Sequence, residues 1–239
     1  MRTFYADLHI HTCLSPCAEN DMSPPVVVEQ AHASGLDIIA VCDHNSADNV
    51  GAVIGAAEDS GLSVIGGMEI TSSEEVHILG LFRDIALLGK AQEVVYDNLP
   101  GENNPDYFGE QLLADKYGNI TGNINRLLIG ATVLSLEEIV CMIHEFGGIA
   151  IASHIDRPSF SVISQLGFIP EVLELDGVEI HSGKLEGLPE NMPIVFSSDA
   201  HRPEDIGNRR TRFHIEVGTL DEIRLALRNK GCREIHSGQ

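Results

Sequence analysis

The 239-residue chain is short of positive charge: 15 lysines and arginines stand against 36 aspartates and glutamates, a formal net charge of −21. Such a field repels nucleic-acid backbones and anionic lipid at long range, so long nucleic acid and membrane surfaces are disfavoured as partners. A small anionic substrate stays compatible, because bound cations reverse the field locally. No apolar run approaches the ~18 residues of a membrane-spanning helix. The five cysteines are odd in number and contain no Cys-x-x-Cys pair. Without a signal peptide at the N-terminus, reduced thiols and a cytoplasmic location are expected. Also missing are a Gly-x-Ser-x-Gly motif or other protein nucleophile signal, internal repeats and low-complexity segments. What remains is 43% hydrophobic, enough to bury the core of one domain spanning residues 1–239.

Within that chain, Tyr5-Ala-Asp-Leu-His-Ile-His-Thr12 alternates polar and apolar residues. On a strand, alternation predicts Asp7, His9 and His11 on one face and Phe4, Ala6, Leu8 and Ile10 on the other. Two imidazoles and a carboxylate sharing a face suit a metal ion; alone, they equally suit a strand turned to water. The later segments decide. Apolar strand-like runs at 36–42, 62–65, 76–82, 149–152, 176–180, 193–196 and 212–217 alternate with helical patterns at 24–34, 52–61, 135–147 and 220–230. That order predicts about seven strands in parallel pairing with right-handed crossovers. Residues 83–135 break the rhythm and read as an insertion over one end of the domain, a lid or substrate-selecting element.

In parallel α/β folds the site lies at the carboxyl ends of the strands. There this sequence keeps His9, His11, His44, Glu69, His154, His181, Asp199 and His201, with His77 near the start of its own strand. Eight of these, His181 excepted, are too many donors for one four-coordinate ion and imply two or three divalent cations bridged by a carboxylate. Asp7 and Asp43 neighbour these donors and are expected to fix an imidazole by accepting its second N–H. His32, His144, His214 and His236 read as ordinary surface or capping groups, and Cys42 and Cys141 as small core residues.

The segments Asp-Leu-His-Ile-His-Thr (7–12), Val-Cys-Asp-His-Asn (41–45), Gly-Met-Glu-Ile (67–70), Val-His-Ile-Leu-Gly (76–80), Ala-Ser-His (152–154) and Ser-Asp-Ala-His (198–201) resemble, in order, those of the polymerase and histidinol phosphatase (PHP) superfamily. The resemblance spans residues 3–210 apart from the insertion. It implies an α/β fold, a distorted TIM-like (β/α)7 barrel, with up to three zinc, manganese or iron ions and phosphoester hydrolysis by metal-activated water. Carried over by motif, His9, His11, Glu69 and Asp199 hold one metal, and His44 and His201 a second. Glu69, bridging, joins His77 and His154 around the third. Where many members have a further ligand for the second metal, this chain reads Cys13-Leu-Ser-Pro-Cys17-Ala-Glu19; Cys17 is the favoured donor, with Glu19, Asp21 or water as alternatives. Arg157 and Arg202 are candidate phosphate clamps, and His181 and Lys184 candidate proton donors to the leaving oxygen.

Histidinol phosphate, a nucleoside bisphosphate, a cyclic dinucleotide or short RNA ends, the last implying a 5'-3' exoribonuclease, all suit such a site. An amidohydrolase-type barrel also begins with His-x-His, but the Asp43-His44 and Asp199-x-His201 pairs argue against it. The full donor set argues against a non-catalytic metal-binding module.

Overall fold

Ser135 accepts from the backbone N–H of Glu138 while the Glu138 carboxylate reaches back to Ser135, the capping box expected at this helix start. Punctuation of this kind recurs along the chain in the computed structural model, which describes residues 1–181, 188 and 191–236. The first half comprises β1 (Arg2–Ile10), α1 (Pro24–Ala33), β2 (Ile38–Val41), α2 (Val50–Ala56), β3 (Ser63–Thr71) and β4 (His77–Phe82). Residues 83–135 follow with α3 (Ile85–Asp97), α4 (Pro105–Phe108), β5 (Leu112–Ala114) and β6 (Ile120–Asn123). The rest is α5 (Leu136–Glu145), β7 (Ile149–Ala152), α6 (Val162–Leu166), β8 (Gly177–Glu179), β9 (Ile194–Val195), β10 (Thr211–Ile215), α7 (Leu220–Leu227) and β11 (Glu234–His236).

Nine strands form one sheet in the order β11-β10-β1-β2-β3-β4-β7-β8-β9. Just past β9 the chain returns to β1 through a bridge between Ala200 and Ile10, so the sheet curls round on seven strands. This is the distorted TIM-like barrel class expected. The expectation of parallel pairing throughout is corrected at β10, which runs antiparallel to β1, and at β4, which runs antiparallel to both β3 and β7. The cause at β4 is the connection: residues 72–76 make a tight turn, with the Ser72 N–H donating to Val76 O at 2.9 Å, and leave no room for a crossover helix. The reversal brings the start of β4, and with it His77, to the rim where β3 ends.

Alternate residues along the strands fall into two cores. Phe4, Ala6, Leu8, Ile38, Ala40, Leu79, Leu81, Ile149, Ile151 and Val195 pack together with Phe213 and are sealed by Leu220 and Ile223 of α7. Ile39, Val41, Met68, Ile70, Ile78 and Ala152 belong to the second core, with side chains of α1, α2, α3 and α5. Glu69 and His77 alternate with members of the second core and so share the face of the first, at its upper end. The barrel interior is therefore apolar below and ionisable above.

β1 departs from strict alternation. Its register against β2 shifts between Asp7 and Ile10, and Leu8 and Ile10 fall in different cores. Asp7 is thereby taken off the face that carries His9 and His11. Cys42 is buried as expected, whereas Cys141 is exposed, because α5 buries Leu136, Ile139, Val140, Met142 and Ile143 on another face.

The expectation that residues 83–135 form one insertion is corrected at α3, which packs Leu88, Ala91 and Val95 into the second core; the rest of the segment is fastened to the barrel by polar side chains. Asn45 Nδ2 donates to the carbonyls of Leu128 and Gly130 at 2.7 and 2.8 Å. Asn49 Nδ2 donates to Leu112 O, and its Oδ1 accepts from the Ala114 N–H, both at 3.0 Å. Beneath it lies a small third core of Leu14, Leu99 and Leu128.

Candidate metal centre

His9 and His11 point their Nε2 atoms at one another, 3.2 Å apart, and at Asp199 Oδ1, 3.3 and 3.0 Å away. Glu69 completes the group, with Oε1 at 3.4 Å from His9 Nε2 and Oε2 at 3.5 Å from His11 Nε2. The ligand atoms of these four buried residues lie within 4.8 Å of one another, as do those of His11, His44 and His201, and of His44, Glu69 and His77. Glu69 sits at the middle: Oε1 also meets His77 Nδ1 at 2.9 Å and His154 Nε2 at 3.1 Å, and Oε2 meets His44 Nδ1 at 3.1 Å. All eight donors read from the sequence are thus gathered at one end of the barrel.

The electrostatics suit cations. Burial works to raise Glu69, but the imidazoles of His77, His9 and His44 outweigh it and hold the carboxyl well below its ordinary value. Asp199 is likewise held low, burial being overcome by His9 and His11. Burial and crowding by other imidazoles push His44 well down and His201 to about 4. His9 is the exception: burial works to lower it, but Asp199, Glu179 and Glu69 outweigh burial and hold it well above its ordinary value. Ionised carboxylates and neutral imidazoles are the forms that bind metal. His44 Nδ1 and His154 Nδ1 are buried without a hydrogen-bond partner, and the 3.1 Å approach of His44 to Glu69 lacks hydrogen-bond geometry. Buried polar atoms left unpaired are costly, and a cation relieves that cost. The donor set fits divalent metal.

Further residues set the donors' orientation. Glu179, which the sequence reading did not single out, places both carboxylate oxygens 3.1 Å from His9 Nδ1 and accepts from the His154 backbone N–H at 3.1 Å. An acid closing a short strand that is otherwise glycine and valine was the available signal. Asp43 does not meet an imidazole directly; it accepts from the Ser15 hydroxyl at 2.7 Å, and Ser15 Oγ lies 2.9 Å from His11 Nδ1. Asp7 also misses the imidazoles, for the register reason above. Its oxygens accept backbone N–H groups of Ser198 and Gly207 at 3.0 and 2.9 Å, and burial pushes it up to about 6. Asn45, His154 and Asp199 adopt left-handed backbone conformations with φ of 49°, 28° and 52°, strain of the kind stored at functional sites.

The remaining candidates divide. Cys17 is exposed and stands outside the three groups; partial burial of its thiol and the nearby Glu69 and Asp199 push it up to about 12, against thiolate formation. Arg202 is exposed and pairs with Glu19 at 3.1 Å, and neither belongs to the three donor groups. Lys184 lies outside the described residues. A cavity of about 440 Å³ beside the cluster is lined by Arg157, His181, Ser198, Asp199, His201, Asp205, Asn208 and Arg209. Arg157 pairs with Asp199 Oδ2 there. His181 Nδ1 is buried without a partner, and burial with Arg157 and Arg209 nearby lowers its pKa, so the ring is neutral at pH 7. Arg209 was missed; paired arginines just after the 198–201 motif, in so acidic a chain, were its signal.

The chain belongs to the PHP family: the PHP domain model matches residues 7–158, and the PHP-associated model matches residues 190–232. It is a metal-dependent hydrolase of that family. The 5'-3' exoribonuclease of Haemophilus influenzae is 35% identical over 78 residues, 31% of this chain and 27% of that protein. Among solved structures, the lesion-specific endonuclease Q of Pyrococcus furiosus superposes with a TM-score of 0.71 at 21% identity, covering 98% of this chain and 57% of that one. Endonuclease Q in complex with a 27-mer duplex bearing an abasic lesion at its active site gives 0.69 at 20% identity, covering 97% and 58%. This chain therefore spans little more than half of endonuclease Q. The duplex complex overturns the expectation that long nucleic acid is disfavoured. Net charge is a sum over the whole surface, whereas the field a phosphate meets is set by cations at the site. No helix among the described residues is long and apolar enough to cross a membrane.

Proposed function

We propose that the chain hydrolyses a phosphoester of a nucleotide or nucleic acid, using two or three divalent ions of zinc, manganese or iron. The observation that carries this reading is the convergence of His9, His11, Glu69 and Asp199 within 4.8 Å, beside a cavity that bears two arginines. His44 and His201 would hold a second ion, and His77 and His154, with Glu69, a third. Ions held there supply the charge that activates water and neutralises the phosphoryl oxygens. The protein's own groups orient the ester. Arg157 exchanges its pairing with Asp199 for a phosphate oxygen, a match for guanidinium geometry. Arg209 and the neutral His181 complete the lining, with His181 donating a hydrogen bond rather than acting as a strong acid. Residues 98–135, beyond α3, act as a fixed cover over one side of a single domain, selecting what enters.

The test is a substrate panel on chelator-stripped protein reloaded with zinc, manganese or iron. It spans p-nitrophenyl phosphate, a nucleoside bisphosphate, 5'-phosphorylated RNA and DNA, and a lactone and amide set. Phosphate release restored by metal is expected, and His9→Ala and Asp199→Ala each abolish it while staying folded. Unchanged turnover in both variants, or preference for lactones or amides, overturns the reading.

A further inference from the structure

The loop after β7 carries three chemically different groups at equal spacing: His154, Arg157 and Phe160. Arg157 reaches Asp199 on one side of the centre. Phe160 lies on the other, its ring stacked on that of His77 with centroids 4.9 Å apart and planes 20° apart. Phe160 is nevertheless 43% exposed. With one face on the imidazole, that exposure falls on the rest of the ring. The position is built. The Phe160 carbonyl accepts the His77 N–H at 3.0 Å, Ser161 Oγ donates to Arg157 O at 2.9 Å, and Ser161 caps α6. Phe160 itself sits in the left-handed region, with φ of 55°, which a phenylalanine adopts only under constraint. A ring needed only to shield His77 would be better buried, and any apolar side chain would serve.

We propose that Phe160 is a stacking surface for a nucleobase of the substrate, so that the site selects nucleotidic phosphoesters over base-free ones. The inference rests on the phosphoester reading above and names the substrate feature recognised. Every base presents a π face, so stacking on an aromatic side chain is strong and tolerant of sequence. The loop then reads the substrate in order: aromatic for base, imidazole toward the ions, guanidinium for phosphate.

The test compares Phe160→Leu and Phe160→Trp with the parent protein, all metal-loaded and checked by elemental analysis. Binding of a dinucleotide phosphorothioate and of its counterpart with an abasic sugar is measured by calorimetry. In parallel, kcat/KM is measured for a 5'-nucleotide and for methyl phosphate. The parent's preference for the base-bearing ligand falls about tenfold in Phe160→Leu, the scale of one lost stacking contact, and Phe160→Trp retains it. A Leu variant that keeps the full preference overturns the proposal. So does one in which both ligands weaken alike with metal content, which marks a structural role. If the parent hydrolyses neither ester, the phosphoester reading fails, while the calorimetric preference still decides whether Phe160 stacks a base.

Discussion

Replacing Glu179 by glutamine alters one atom in a residue that touches no proposed metal position, yet it should weaken metal binding markedly. The two carboxylate oxygens of Glu179 lie equidistant from His9 Nδ1, and one also accepts the His154 backbone N–H. This arrangement keeps the His9 proton on Nδ1 and leaves Nε2, the atom facing His11 and Asp199, free to donate its lone pair. Glutamine offers a single acceptor oxygen. If that oxygen serves His154, the amide presents N–H to His9 Nδ1 and drives the proton onto Nε2, the wrong tautomer for a ligand. Loss of such a partner typically lowers metal affinity about 10- to 100-fold, which is about 1.4–2.8 kcal/mol at about 1.4 kcal/mol per tenfold. Competition against a chromophoric zinc chelator at neutral pH measures this, with thermal unfolding of the stripped proteins as a control on the fold. Glu179→Ala adds a second cost, about 1–3 kcal/mol of stability, because the buried His154 N–H loses its acceptor. A Glu179→Gln protein that folds normally and binds zinc within about twofold of the parent would refute the argument, since the outer-shell rule predicts at least a tenfold loss.

Ser15→Ala cuts the path from Asp43 to His11 and removes the acceptor of the His44 N–H; metal affinity should fall about tenfold, read by the same competition. Asn49→Ala removes the barrel's hydrogen bonds to Leu112 and Ala114, so limited proteolysis within residues 100–130 should accelerate and stability should drop about 1–3 kcal/mol. Asp176 gives a pH test. Burial works to raise its carboxyl, but His144, the Ala150 N–H and Arg228 outweigh burial and hold it below the ordinary value of 3.8. A depressed acid stabilises the fold above its unfolded value and loses that contribution as pH falls. Asp176→Asn should therefore lower the melting temperature at neutral pH, with the difference from the parent closing as pH drops through and below 3.8. A difference that stays constant with pH would exclude the ionic explanation.

Much of the site was legible because chemistry concentrates at strand ends. His44, Glu69, His154, Asp199 and His201 each follow a short apolar run or close it, and the runs imply the barrel that makes them meet. Illegible were the features that depend on register and direction. The shift inside β1 that separates Asp7 from His9 and His11 leaves no mark in a cleanly alternating sequence. The reversal of β4 rests on a five-residue turn whose residues fit a loop of either kind. Glu179 sits in a run too short to show alternation, and its importance follows from His9, 170 residues away in sequence. Cys17 was assigned by position along the chain, and it stands outside the three donor groups. The charge argument failed for a different reason: a total says nothing about where Arg157 and Arg209 stand.

The two donor groups that share Glu69 differ in how far they reach along the chain. His44, Glu69 and His77 come from one contiguous stretch that contains α2 and the β3–β4 hairpin, whereas His11 and Asp199 are 188 residues apart. An ion held by His9, His11, Glu69 and Asp199 is a clasp between the first strand and the segment that closes the barrel against it through Ala200. Closing so long a loop is entropically costly, and the clasp removes that freedom in the way a covalent crosslink does. Chelation is then felt most at the seam where the first strand meets the segment around Ala200, and least around Glu69 and His77, whose union the hairpin already secures.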